Sequence, residues 1–212
     1  MTPPRFFRQP KQVRSRETLV RILDAAEQVL GDKTFGDATL AEITERAGVT
    51  VGAFYRRFTD KDALLHHLDE RLFTELYRRA DLVLDPELWP NGGAREIIAE
   101  FTAQMVDVYS TRRGLLRSLL VRARMDVVLE QSAMEVNAHF VAKLRTLLLR
   151  RRDDMTHPDP ERAVELGFMM VVGALREVIV FGESWPAPPT DMDTLSAEIT
   201  RMYCAYLGIK SE

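Results

Sequence analysis

Cysteine is almost missing from this chain: Cys204 is the single one in 212 residues. No intrachain disulfide can form, a zinc–thiolate cluster is excluded, and a reducing compartment suits the protein. Histidine is also scarce, with only His66, His67, His139 and His157. No His-Glu-x-x-His run sets two imidazoles on one helix face beside a general base. Asp62 with His66 and Glu135 with His139 have the spacing of a shared helical metal ligand pair, but acid–His pairs at this spacing are usually surface pairs or satisfied core polar groups. No glycine-rich loop cradles a phosphate. The most apolar run, 168–181, is interrupted by Arg176 and Glu177 and is shorter than the ~20 residues that cross a bilayer. The N-terminus is charged and carries prolines, without the apolar centre of a signal peptide. These absences predict a soluble, cytoplasmic protein with no metal, no cofactor, no membrane partner and no catalytic residues. A helical enzyme or carrier with an apolar pocket is the alternative.

Strong net charge is lacking too. The formal value is −3, which argues against a surface that binds nucleic acid everywhere. The charge is uneven, however. Arg5, Arg8, Lys11, Arg14, Arg16 and Arg21 face a single acid, Glu17, within the first 21 residues. Residues 1–13 have no hydrophobic period and read as a flexible basic arm, with Arg14 and Arg16 best placed to reach phosphate.

What is present is helical periodicity. The chain is 46% apolar, enough for a buried core. Leu19, Ile22, Leu23, Ala26, Val29 and Leu30 form one stripe of a first helix. Thr39 and Glu42 have the spacing of a capping box, and Leu40, Ile43 and Ala47 give the helix behind it a buried face. Gly48 can turn the chain in the left-handed region, and Thr50 can cap a short helix from Val51 to about Arg57. On that helix Phe54 and Phe58 face inward. Gly52 and Arg56 face outward, flanked by Ala53 and Tyr55. An outward face with a bare backbone, a phenol and two arginines is not one built for solubility alone. Thr59 and Asp60 can cap a long helix that runs to about Leu84. Lys61 in its first turn opposes the helix dipole, a conflict that a nearby phosphate would relieve.

The segment from about Leu19 to Leu65 resembles the tetracycline-repressor (TetR) family of transcriptional regulators. The resemblance is carried by residues 22–26 (IleLeuAspAlaAla), Phe35, Thr39, Glu42, Ile43, residues 47–49 (AlaGlyVal), Thr50, Gly52, Phe54, Tyr55, Phe58, Lys61, Leu64 and Leu65. It implies an all-α fold: an N-terminal three-helix bundle with a helix–turn–helix, a long linking helix, and a C-terminal helical bundle for ligand binding and dimerisation. The corresponding domains are 14–60, 61–84 and 85–212. Thr39, Thr50, Tyr55 and Lys61 look like phosphate contacts, with Gly52 and Arg57 beside them. Val51, Ala53 and Arg56 look like candidates for base edges. Phe35, Ile43, Ala47, Phe54 and Phe58 look structural. Thr34, Thr44 and Arg57 depart from the glycine, alanine and histidine common at those places.

Beyond a proline- and glycine-bearing loop at 85–94, five further stripes recur at helical spacing. In this family the last two helices pair with their copies, which implies a homodimer reading successive turns of one operator face roughly 34 Å apart. Gly167, Val171, Ala174, Leu175, Val178, Leu195, Ile199, Met202 and Tyr206 are the candidate interface residues. The middle helices commonly hold a small effector. Candidate lining residues are Phe101, Met105, Tyr109, Leu116, Leu120, His139, Phe140, Phe168, Met169 and Arg176, mostly apolar. The partners implied are double-stranded operator DNA, a second copy of the chain, and an unidentified small molecule.

Overall fold

A computed structural model describes residues 13–182 and 191–210, with side chains from Arg16 onward. The arm at 1–12, the Arg14 side chain and the turn at 183–190 lie outside the described residues. Among those described the chain is all-α, with nine α-helices and no strand. It divides into two compact units, residues 1–68 and 69–212.

The first unit contains α1 (Val13–Asp32), α2 (Leu40–Arg46), α3 (Val51–Tyr55) and the start of α4 (Lys61–Val83). Its centre is Ile22, Ala26, Ile43, Phe54, Phe58, Leu64, Leu65 and Leu68, each at most 1% exposed. Phe54 and Phe58, one turn apart, pack at 4.9 Å between ring centroids with their planes tilted by 36°, and Phe58 meets His67 edge-on at 5.2 Å. Helix α1 continues one residue past Gly31. Thr44, in a place where a small apolar residue packs more simply, is buried, and its hydroxyl donates to the carbonyls of Leu40 (2.8 Å) and Ala41 (3.1 Å). Thr34 forms a local turn, its hydroxyl donating to Asp37 Oδ2 at 2.6 Å.

The second unit holds the remainder of α4, a 3-10 turn at Pro86–Leu88, and α5 (Ala94–Thr111), α6 (Arg113–Arg122), α7 (Val127–Leu148), α8 (Pro160–Leu175) and α9 (Met192–Leu207). Helix α5 packs chiefly on α9, and α9 on α8. At that junction Gly167 faces the Tyr203 ring, and a Cβ on Gly167 would stand 1.8 Å from Tyr203 Cε2. The Tyr203 hydroxyl, fully buried, donates to the Val164 carbonyl at 2.7 Å. The close approach that Gly167 permits is therefore used within one chain. Val171, Leu175, Leu195 and Ile199 are also buried in this core. This corrects the expectation that these five residues face a second copy: the most apolar stripe is the one the protomer's own core takes first. Of the candidate set, Met202 is exposed (39%), and Ala174, Val178 and Tyr206 are partly exposed.

Helix α8 does not end in a regular cap. Residues Arg176–Val180 form a π-turn, closed by the Phe181 amide donating to the Arg176 carbonyl at 3.0 Å.

Candidate functional site

The geometry of the α2–α3 corner follows from its caps. The Thr39 hydroxyl accepts from the Glu42 amide at 3.2 Å, and the Glu42 carboxylate accepts from the Thr39 amide at 3.0 Å. Lys33 also donates to Glu42, and that bond, with the two from Thr39, holds the Glu42 carboxyl down from 4.5 to about 2. Gly48 has φ +63°, the left-handed conformation expected of it. Thr50 then caps α3, its hydroxyl oxygen accepting from the Ala53 amide at 3.1 Å.

Helix α3 is one and a half turns long, and Phe54 anchors it. Around the rest of the helix, Val51 (46% exposed) and Tyr55 (55%) stand in solvent with Thr50, and with Gly52 and Arg56 on the side opposite that ring. Gly52 has no positive φ, and a Cβ there would meet only Thr50 Oγ1, at 3.9 Å. Nothing inside the protein requires a glycine at this position. Thr50 accepts one bond and keeps its hydroxyl proton for an external acceptor.

Two sequence expectations change. Ala53 is buried (8%), so its methyl is not offered to a base edge. It lies on the flank that α3 turns toward the core, and Arg57 folds back to donate to its carbonyl at 3.0 Å. Lys61 is the second. Its ammonium donates to the carbonyls of Phe35 (2.5 Å), Ala38 (2.8 Å) and, more weakly, Gly36 (3.4 Å), and lies 4.5 Å from the Phe35 ring centroid. An ammonium has three protons, and all three are directed at the loop before α2. The conflict with the α4 dipole is thus answered inside the fold, without a phosphate. Thr39 is similar: its hydroxyl also donates to Glu42 Oε2 at 2.9 Å.

One contributor was not singled out from the sequence. Arg21 of α1 reaches the α2–α3 turn, its Nη1 lying 3.8 Å from where a Gly48 Cβ would be. Burial depresses the Arg57 pKa, and the positive charges of Arg56 and Arg21 depress it further. Three guanidiniums therefore converge at one end of α3, an arrangement that favours an anion. In the sequence Arg21 registers only as one more charge near the N-terminus. Its approach to residue 48 is tertiary. Arg16 is exposed on α1.

The second unit contains an apolar cavity of about 80 Å³. Met105, Tyr109, Leu116, Leu120, Phe140, Phe168 and Arg176 line it, as expected, together with Leu72, Phe73, Val136, Asn137 and Val172. Phe101 does not line it. It sits behind, packed on Phe140 and Phe168 at 6.1 and 5.9 Å between centroids. His139 faces the surface, 3.0 Å from Asp81 and 4.4 Å from the Tyr77 ring. Met169, about 100° round α8 from Phe168, is 60% exposed. His139 and Met169 lie to the side of the stripe of their helices that borders the cavity, whereas Phe101 shares the stripe of Met105 and Val108 on α5 and lies further along it. Burial raises the Tyr109 pKa, and the Arg176 guanidinium beside its hydroxyl partly offsets the rise.

Residues 22–68 match the family described as bacterial regulatory proteins, tetR family. An uncharacterized HTH-type transcriptional regulator of Mycobacterium tuberculosis is 29% identical over 139 residues, 63% of this chain and 67% of the relative. A solved structure from Mesorhizobium loti, assigned to the tetR family, superposes with a TM-score of 0.70 at 18% identity, over 93% of this chain and all of that one. The FadR regulator of Bacillus subtilis, solved in complex with stearoyl-CoA, gives 0.63 at 18% identity, over 87% and 96% of the two chains. At such identities the two structures speak for the fold, while the sequence matches also carry the helix–turn–helix.

Proposed function

We propose, from the premise that this chain belongs to the tetR family of helix–turn–helix transcriptional regulators, that it is a repressor: a homodimer that binds a pseudo-palindromic operator and is released by a small, mostly apolar effector held in the second unit. The observation that carries the DNA reading is the outward face of α3. Thr50, Val51, Gly52, Tyr55 and Arg56 are exposed together, with a glycine that the fold itself does not need. Thr50, Tyr55 and the Arg21–Arg57 cluster would hold phosphates, and Val51 and Arg56 would meet base edges. The effector reading is supported by the apolar cavity and by the ligand that FadR, of the same fold, carries in its solved structure.

An effector releases DNA only by binding the non-operator conformation more tightly. The test is fluorescence anisotropy with DNA fragments flanking the protein's own gene, over a range of salt. Tyr55→Phe and Thr50→Val should weaken binding to all sequences alike. Arg56→Gln should change which sequences are preferred. Failure of the wild-type dimer to retain any such fragment in a salt-dependent way would end the repressor reading.

A further inference from the structure

The apolar cavity of about 80 Å³ is far below the roughly 300 Å³ of an ordinary small-molecule site. It is not isolated. An open groove of about 640 Å³ lies beside it, and the two share Leu120, Ala123, Ala133, Asn137 and Arg176 in their walls. These five residues form a neck. Inward of the neck the walls are mostly apolar, with Tyr109 and, at the α4 edge, Asp69 as the polar residues. Outward, Val121 (50% exposed) and Met134 (66%) rim the groove.

Arg176 stands at this neck in an unusual state. Its Nε is shielded from solvent and has no hydrogen-bond partner, while the rest of the guanidinium lies against the Tyr109 hydroxyl. An unused charged donor costs free energy unless something occupies it. The backbone points the same way. Arg176 opens the π-turn that ends α8, and such turns are frequent at functional sites. Tyr109, whose hydroxyl lies against Arg176, supplies a second polar group on the cavity side.

We infer that the ligand of the second unit is an amphipathic anion of the carboxylate class, its apolar end in the inner cavity, its carboxylate on Arg176 at the neck, and the rest of it in the groove. The inference rests on the effector reading and narrows it. A purely apolar ligand would leave the Arg176 Nε donor unused in the occupied site, and a small polar one would leave the inner walls unfilled. Arg124, Glu130 and Glu177 line the outer groove and give it mixed charge. The anion-selective position is therefore the neck.

The test uses sodium octanoate and 1-octanol, equal in chain length and different in charge, titrated into the full-length dimer by ligand-detected NMR. The wild type should prefer octanoate by about tenfold or more, the scale of a charge-assisted pair. Arg176→Met should abolish the preference while keeping octanol binding within about twofold, and Arg176→Lys should keep most of the preference. Should Arg176→Met not fold, Ala133→Glu, at the half-exposed neck, supplies a resident carboxylate and should remove the preference with Arg176 in place. Equal binding of the two probes, no binding of either, or a preference that survives Arg176→Met in a folded protein would overturn the inference. DNA retention without ligand, measured on the same samples, separates these outcomes from a failure of the regulator reading.

Discussion

Gly52→Ala should stabilise this protein and impair its binding to DNA. In the fold, a methyl at position 52 meets one atom, Thr50 Oγ1, at 3.9 Å, an ordinary contact, and φ is not positive. Replacing glycine by alanine within a helix removes backbone freedom from the unfolded chain and is worth about 0.5–1 kcal/mol. For a chain of this length that corresponds to about 1–4 °C in Tm. On DNA the same methyl projects from the outward face between Val51 and Tyr55. It would hold the α3 backbone away from the duplex and lengthen the hydrogen bonds around it. Losing one or two such contacts is worth about 1.4–2.8 kcal/mol, or roughly 10- to 100-fold in Kd.

The assay pairs a thermal melt with an anisotropy titration at one fixed salt concentration. Gly31→Ala is the matched control, because Gly31 is exposed near the end of α1 and a Cβ there meets nothing within 4 Å. It should raise Tm by a similar amount and leave DNA affinity unchanged. A Gly52→Ala protein with wild-type affinity would refute the argument that the glycine serves a partner. A lowered Tm would refute the claim that the fold has no use for it.

Gly167→Ala should do the reverse of Gly52→Ala: its Cβ would lie 1.8 Å from the buried Tyr203 ring, and the overpacking should cost about 3 kcal/mol, read as a fall in chemical-denaturation midpoint. Lys61→Met should lower the stability of the first unit by about 1–2 kcal/mol through loss of its carbonyl contacts; unchanged melting with weakened DNA binding would restore the phosphate-clamp role. The Glu42 carboxyl is held near 2 from an ordinary 4.5, so its contribution is fully present above 4.5 and lost as pH falls toward and below 2. Glu42→Gln should flatten that acid limb of the stability profile, and an unchanged limb would remove the capping box and Lys33 as its cause. On the proposed homodimer, Met169→Glu with Met202→Glu, both at exposed positions, should leave the helical content and melting of the chain nearly intact yet shift sedimentation to the monomer, and an unchanged sedimentation coefficient would remove those faces from the interface.

The all-α fold was legible because its signals are local. Thr39 with Glu42, the positive φ at Gly48, and the Phe54–Phe58 spacing each specify one step of the corner, and each recurs in the structure. What was not legible depended on who claims a group first. Gly167 reads as a site of close helix approach, which it is, but only the tertiary arrangement shows that Tyr203 fills it. Lys61 reads as a free cation at an unfavourable helix end. The carbonyls that hold it come from residues 35, 36 and 38, more than twenty positions earlier. Ala53 is one residue from Phe54, and on so short a helix a small tilt decides whether its methyl faces water. The cavity residues divide in the same manner: helical spacing marks Phe168 and Met169 as neighbours, while their opposite burial follows from which side of α8 meets α5 and α7.

On the proposed reading, the size of the α3 face itself argues for two copies. Discrimination between an operator and other DNA amounts to about 4–10 kcal/mol, and one good side-chain pair to a base contributes about 1–3 kcal/mol. With Ala53 buried and Lys61 and Thr39 engaged at home, the α3 face of one head offers, among the described residues, Arg56 as its bidentate donor and Val51 as its methyl contact. Together these reach only the lower end of that range. Doubling them on a two-fold site brings the total well inside it, and gives phosphate contacts from Thr50, Tyr55 and the arginine cluster twice over. Selectivity then depends on what holds the two heads at a fixed spacing. A ligand at Arg176 would have to act on that spacing, since changing the few contacts within one head would leave too little affinity to regulate.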